Sequence, residues 1–101
     1  MIYEYAYLYI VPGREEEFEK ALLDAAPILK SAAGCLSIDL HRDVETRGSY
    51  LLRIGWETLE DHLEKFPASE QAPRFAAAIE HFFAREPTLR HFAAQPCVAG
   101  S

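Results

Sequence analysis

The first ten residues alternate between two kinds of side chain, and this alternation constrains the fold more than any other feature. Tyrosines occupy four successive odd positions: Tyr3, Tyr5, Tyr7 and Tyr9. Apolar residues occupy even positions: Ile2, Ala6, Leu8 and Ile10. A period of two is typical of a β-strand whose two faces meet different surroundings. The sequence therefore predicts a first strand, over residues 2–11, with two different faces.

The periodicity becomes helical after Pro12 and Gly13, which break the strand. Apolar residues then recur at the spacing of one helix face: Phe18, Leu22, Ala25 and Leu29. Alternating segments predict three more strands: residues 35–42, 49–57 and 88–95. The pattern thus predicts one helix between the first two strands and a hairpin joining the second and third.

Two further helices are predicted between the third and fourth strands. Thr58, with Asp61 three residues later, imitates a capping box at the start of the first of them. Its apolar stripe is expected to comprise Leu59, Leu63 and Phe66. The next helix is expected to turn its aromatic and aliphatic residues inward: Phe75, Ile79, Phe82 and Phe83.

The resulting order, β-α-β-β-α-α-β, predicts an α+β fold of the ferredoxin-like split βαβ kind. This fold has a four-stranded antiparallel sheet with helices on one face. The length of 101 residues fits a single domain, residues 1–101, with a tail at 97–101. No predicted helix remains to cover the tyrosine face, which would be a large exposed apolar patch. We therefore expect a homodimer through the tyrosine-bearing sheet face, giving a dimeric α+β barrel.

Charge and composition exclude several classes of partner. The net charge of −6, with 10 basic against 16 acidic residues, argues against a nucleic-acid partner, since phosphate binding needs clustered Lys and Arg. No apolar run approaches the ~20 residues of a membrane span. Two isolated cysteines do not make a disulfide framework, and no signal peptide is recognisable, so a cytoplasmic location is expected.

Known cofactor motifs are missing from the sequence. It contains neither the glycine-rich dinucleotide fingerprint nor a P-loop, and no nucleophile elbow. No two His or Cys residues have metal-ligand spacing on one helix face. The sequence therefore predicts no bound cofactor and no protein-held metal.

His62 is the leading candidate for chemistry, because it shares the apolar stripe of its predicted helix. An imidazole in such surroundings can act as a base near neutral pH, or it can simply bond a backbone carbonyl. Trp56 can equally be core packing or a pocket wall whose indole N–H meets a ligand oxygen. His41 is expected on the tyrosine face, whereas His91 could face either side of the sheet.

Three segments carry a resemblance to a known family: VPGREEEFEKAL at 11–22, GCLSIDLHRD at 34–43, and YLLRIGWETLEDHLEKFPAS at 50–69. Together with the strand order, they resemble the antibiotic biosynthesis monooxygenase family. The resemblance implies one of three activities: cofactor-free oxidation of phenolic polyketides, oxidation of small hydroquinones, or haem degradation. The haem-degrading branch uses an Asn, a Trp and an axial His where this chain has Ala6, Phe66 and Ala76, which disfavours that activity.

In the polyketide branch, a Trp ending the third strand and a Tyr six residues later contact the phenolic substrate. This chain has Trp56 and His62 at those places. The resemblance therefore implies a small aromatic substrate, with His62 as the catalytic base and Trp56 orienting the ring. The cavity is expected to be lined by five more residues: Ala6, Leu8, Ile54, Leu63 and Phe66.

Two other functions stay open on the same fold. The dimer could bind a hydrophobic small molecule without turning it over, or it could catalyse a non-oxidative isomerase or aldol-type reaction. Steady consumption of dioxygen would distinguish a monooxygenase from both.

Overall fold

Four strands and two α-helices follow the predicted order in the computed structural model, which describes residues 1–100. The elements are β1 (Ile2–Tyr9), α1 (Glu15–Lys30), β2 (Cys35–Arg42), β3 (Ser49–Trp56), a π-helical turn (Asp61–Lys65), α2 (Gln71–Ile79), a 3₁₀ turn (Glu80–Phe82) and β4 (Thr88–Ala93). Residues 97–100 of the predicted tail follow β4, and Ser101 lies outside the described residues. No helix in residues 1–100 has the length and apolar character needed to cross a membrane.

The sheet is antiparallel throughout, with the strand order β2-β3-β1-β4, as expected for the split βαβ plan. β1 is therefore a central strand, and β4 is an edge strand. In the register of β1, Ala6 lies opposite Leu52 and Leu89, while Tyr5 lies opposite Arg53 and Arg90. Since facing residues project to the same side, the predicted separation of β1 into an apolar and a tyrosine face is confirmed.

Helix α1 covers the apolar face of the sheet with the predicted stripe. The buried residues of this helix are Phe18, Leu22, Ala25 and Leu29. Three glutamates, Glu15–Glu17, occupy its first turn, where the helix dipole favours negative charge. The largest fully buried side chains of the core are Trp56, Phe18, Leu8 and Leu29. The core thus lies between β1, β3 and the helices, and the tyrosine face is left without a covering layer.

The segment after β3 differs from the predicted α-helix. The Phe66 N–H donates to the Asp61 carbonyl at 2.8 Å, an i→i+5 hydrogen bond that defines a π-helical turn. The wider turn directs His62 and Phe66 toward the core but leaves Leu63 54% exposed. The prediction that Leu63 faces inward is therefore wrong, because the α-helical spacing on which it rested does not apply here.

Asp61 fixes the start of this turn. The predicted capping box is confirmed: the Asp61 N–H donates to Thr58 Oγ1 at 3.1 Å, and the Thr58 N–H donates to Asp61 Oδ2 at 3.0 Å. The Asp61 carboxylate also lies against Gly34, where an added Cβ would collide with it. Gly34 has a φ of +80°. The π-helical turn is thus held against the connection between α1 and β2.

Candidate functional site

A carboxylate lies inside the apolar core, on the face of β1 that packs against the helices. Glu4 is 6% exposed. Its Oε1 accepts a hydrogen bond from the indole N–H of Trp56 at 2.9 Å, and His62 Nε2 lies 3.2 Å from the same oxygen. Burial raises the pKa of Glu4 above its ordinary value, against the opposing effects of the Trp56 hydrogen bond and the His91 charge. Glu4 is therefore a carboxyl group that accepts a proton more readily than a surface glutamate.

The imidazole of His62 is held between three partners. It stacks on the Trp56 indole with 5.3 Å between ring centroids and 15° between planes. Its Nε2 faces Glu4, and its Nδ1 lies 2.7 Å from Nε2 of His91. The side chain is 14% exposed, and burial lowers its pKa. Both ring nitrogens of His62 are thus engaged inside the protein.

His91, which the sequence could not assign to a sheet face, lies on the core side of β4. Its register partner is Glu4, so the two side chains project to the same face of the sheet. His91 is half-buried, and Leu89 on the same face is 43% exposed. The edge strand therefore places His91 between the buried pair and the surface.

Of the two sequence-based interpretations of Trp56, the structure agrees with core packing rather than with a pocket wall. Its side chain is 0% exposed, and its N–H donates to Glu4, so neither ring surface nor donor is left for a ligand in this conformation. It contributes by packing, since its indole stacks on His62 and lies 5.5 Å from the Phe66 ring. Trp56 thus positions the neighbouring side chains.

The residues predicted to line a cavity have different surroundings. Ala6, Leu8 and Ile54 are 3%, 1% and 3% exposed and belong to the hydrophobic core. Phe66 is half-buried and packs on the same core, whereas Leu63 faces outward. Three of the five therefore belong to the core that surrounds the candidate site, and an apolar groove of about 430 Å³ lies elsewhere, between α1 and β2.

Sequence analysis missed Glu4, although a signal for it exists. Glu4 occupies an even position of β1 between Ile2 and Ala6, and is the single charged residue on that otherwise apolar face. A lone carboxylate in such a position must either be exposed at a strand end or find buried partners. Here Trp56 and His62 supply those partners.

The cluster is not arranged as a metal site. Glu4 and His91 lie at opposite nitrogens of the His62 ring, so the three side chains do not converge on one point. Across residues 1–100, no group of three His, Cys, Asp or Glu side chains is placed to hold a metal ion. The cluster places three titratable groups in line: a hydrogen bond joins His62 and His91, and His62 Nε2 lies 3.2 Å from Glu4 Oε1.

Comparison with known proteins gives a consistent assignment. The family model for antibiotic biosynthesis monooxygenase matches residues 1–81. YczJ of Bacillus subtilis (strain 168), an uncharacterized protein, is 40% identical over 92 residues, which cover 91% of this chain and 97% of YczJ.

Solved structures agree with this assignment. A structure from Bordetella bronchiseptica that carries the same family name has a TM-score of 0.89 at 32% identity and covers 96% of this chain and 97% of its own. Another of that name, from Caulobacter crescentus, has a TM-score of 0.78 at 26% identity, with coverage of 94% and 90%. Because sequence and fold both match over nearly the whole length, the chain belongs to the antibiotic biosynthesis monooxygenase family.

Proposed function

We propose that this protein is a cofactor-independent monooxygenase that oxidises a phenolic or hydroquinone substrate with dioxygen. The observation that carries the proposal is the His62 imidazole, held in the core between the Glu4 carboxyl group and His91. Family membership supports an oxygenase, and the cluster supplies the one group that such a reaction requires of the protein, an acceptor for the phenolic proton.

The reaction balances without a further oxidant or reductant. Loss of the hydroxyl proton gives a phenolate, which is electron-rich enough to pass an electron to dioxygen. One oxygen atom then becomes a new ring carbonyl and the other leaves as water, so the substrate supplies all four electrons that reduce dioxygen. The protein needs only to accept the proton and to exclude bulk water around the reacting ring.

The apolar surroundings of the cluster fit this role. Ala6, Leu8 and Ile54 exclude water from the side of the core on which Glu4 lies. Trp56 stacks on His62 and hydrogen-bonds Glu4, so it keeps the imidazole and the carboxyl group aligned. A base held by packing in a dry environment loses little free energy to reorganisation when the proton moves.

The test is dioxygen uptake by the purified protein with a panel of hydroquinones and polycyclic phenols. We expect uptake, and a decrease of ~10²–10⁴-fold in the His62→Ala variant. His81→Ala is the matched control, because His81 is an exposed histidine outside the cluster. If compounds of the panel raise the melting temperature of the protein but cause no oxygen uptake, the protein is a binding protein instead. Conversion of substrate without oxygen uptake indicates an isomerase or aldol-type enzyme.

We also propose that two copies pair through the tyrosine face of the sheet. Tyr5 packs edge-on against Phe92, with 5.4 Å between ring centroids, and Phe92 is 55% exposed. Beside them, the Arg53 Nε is a buried donor without a partner in residues 1–100, although Arg53 also pairs with Asp39. A second sheet packed on this face covers the aromatic rings and can contact the partly exposed Arg53–Asp39 pair.

A further inference from the structure

We propose that Glu4, His62 and His91 form a proton relay in which His91, rather than His62, receives the proton of the substrate. This inference rests on the proposed function and deepens it by naming the atom at which the substrate meets the protein. It also adds a residue outside the part of the chain that the family model matches, since that match ends at residue 81.

The contacts of the two imidazoles favour one assignment of their protons. The indole N–H of Trp56 can only donate, so Glu4 Oε1 is an acceptor in that contact. A carboxylate oxygen facing His62 Nε2 favours the tautomer with the proton on Nε2. The Nδ1 of His62 is then unprotonated and accepts from His91 Nε2 at 2.7 Å. Nδ1 of His91 is then the unprotonated nitrogen at the outer end of the relay, where its lone pair can accept a proton.

The exposure of the two histidines also indicates that His91, rather than His62, meets the substrate. His62 is 14% exposed and has both ring nitrogens engaged, so no atom of it is left to accept a proton from a ligand. His91 lies on the edge strand and is half-buried. Leu89 lies two residues away on the same face, roughly 6.5 Å along the strand, and is 43% exposed. The relay therefore requires the aromatic ring of the substrate to lie on Leu89 with its hydroxyl group toward His91.

The transfer moves one proton at each step. The substrate hydroxyl gives its proton to His91 Nδ1, and the His91 Nε2 proton passes to His62 Nδ1. The His62 Nε2 proton then passes to Glu4 Oε1. The products are a phenolate and a neutral carboxylic acid, and both imidazoles are again neutral, each in the other tautomer. Burial of Glu4 favours this neutral end state, which is the direction of its raised pKa.

The tautomers can be tested without any substrate, through the imidazole nitrogen shifts in long-range ¹H–¹⁵N spectra. We expect both His62 and His91 as Nε2–H tautomers in the wild-type protein near neutral pH. Glu4→Gln should keep the His62 tautomer, since the amide oxygen still accepts, whereas Glu4→Leu should lose the preference. A wild-type His62 that carries its neutral proton on Nδ1 would overturn the relay, whatever the outcome of the oxygen assay.

The roles of the residues are tested by kinetics on whichever phenol supports oxygen uptake. His91→Ala should lose ~10²–10⁴-fold in kcat and recover with added imidazole. His62→Ala should lose as much in kcat but should not recover with added imidazole. The reason is that the His62 side chain is only 14% exposed, so free imidazole cannot reach the space that it leaves. His91→Gln, which keeps a donor toward His62 but cannot take a proton, and Glu4→Gln should both lose kcat with little change in KM. Full activity of His91→Gln alongside a working wild type would overturn the relay and leave the proposed function intact.

Discussion

His62 Nε2 and Glu4 Oε1 meet in the core 3.2 Å apart, and burial shifts the pKa values of the two groups in opposite directions. The pKa of Glu4 is raised and that of His62 is lowered, and desolvation is the largest cause of both shifts. In both groups, burial disfavours the charged form. Packing of His62 on Trp56 therefore stabilises this contact more than attraction between opposite charges does.

Replacing Glu4 by Gln should change how stability depends on pH. Because its folded pKa is raised above the ordinary value of 4.5, Glu4 contributes stability that is fully present below pH 4.5. That contribution is lost as the pH rises through the folded pKa. The free energy of unfolding of Glu4→Gln should therefore rise relative to the wild type above pH 4.5, by at most about 1.4 kcal/mol per pH unit.

Chemical denaturation of both proteins across this pH range measures the difference. The neighbouring groups Trp56, His62 and His91 are present in both proteins, so the opposite pH effect of His62 largely cancels. A difference that stays constant from pH 4 to pH 8 would show that the carboxyl group titrates at its ordinary value.

Replacing Trp56 by Phe should destabilise the protein chiefly through Glu4. The ring remains, but the buried carboxyl group loses its indole donor, which costs about 1–3 kcal/mol. Thermal or denaturant unfolding measures the loss. In a Glu4→Leu background the same change should cost clearly less, because no carboxyl group is left to satisfy. Equal costs in the two backgrounds would mean that the hydrogen bond adds no stability.

Replacing Gly34 by Ala should be far more damaging than replacing Gly13 by Ala. Both glycines have positive φ, at +80° and +88°, so each substitution carries a backbone cost of about 1–2 kcal/mol. Only at Gly34 does the new Cβ collide with another group, the Asp61 carboxylate, whereas Gly13 has open space around it. The difference between the two unfolding free energies measures how firmly Asp61 holds the π-helical turn. Equal losses would show that the turn yields freely.

Replacing Phe92 by Glu should shift the protein toward monomers. The side chain is 55% exposed on the tyrosine face, and a charge there would be desolvated in a sheet-to-sheet interface. Sedimentation velocity at several concentrations measures the change in mass. Leu23→Glu is the matched control, since Leu23 is 74% exposed on α1, away from this face. A wild-type protein that sediments as a monomer throughout would rule out the proposed pairing.

The parts of the fold that could be predicted from sequence are those that depend on local period. The faces of β1 follow from a period of two, and the stripe of α1, from Phe18 to Leu29, follows from a period of 3.6. The turn after Thr58 could not be predicted in this way. Its shift from α-helical to π-helical hydrogen bonding accompanies the contact of Asp61 with Gly34, and such a contact has no local signature.

The residues of the candidate site also differ in whether the sequence alone could predict their roles. His62 could be proposed because it shares the apolar stripe of its predicted helix, whereas the partner of His91 depends on the register between β1 and β4. The pocket-wall interpretation of Trp56, in which its N–H meets a ligand oxygen, does not apply because a buried acceptor lies near that N–H. Glu4, fifty-two positions earlier, is that acceptor. Pairings of this separation follow from tertiary structure, which a local pattern does not encode.

Because of the π-helical turn, the position of His62 depends on the number of residues between Asp61 and Phe66. An α-helical turn closes its hydrogen bond one residue sooner, so deleting a single residue between Asp61 and Phe66 would turn this segment into an ordinary helix. Asp61 and Phe66 could keep their places while the imidazole swung away from Glu4. A loss of one residue here would therefore separate His62 from Glu4 with both side chains still present in the sequence.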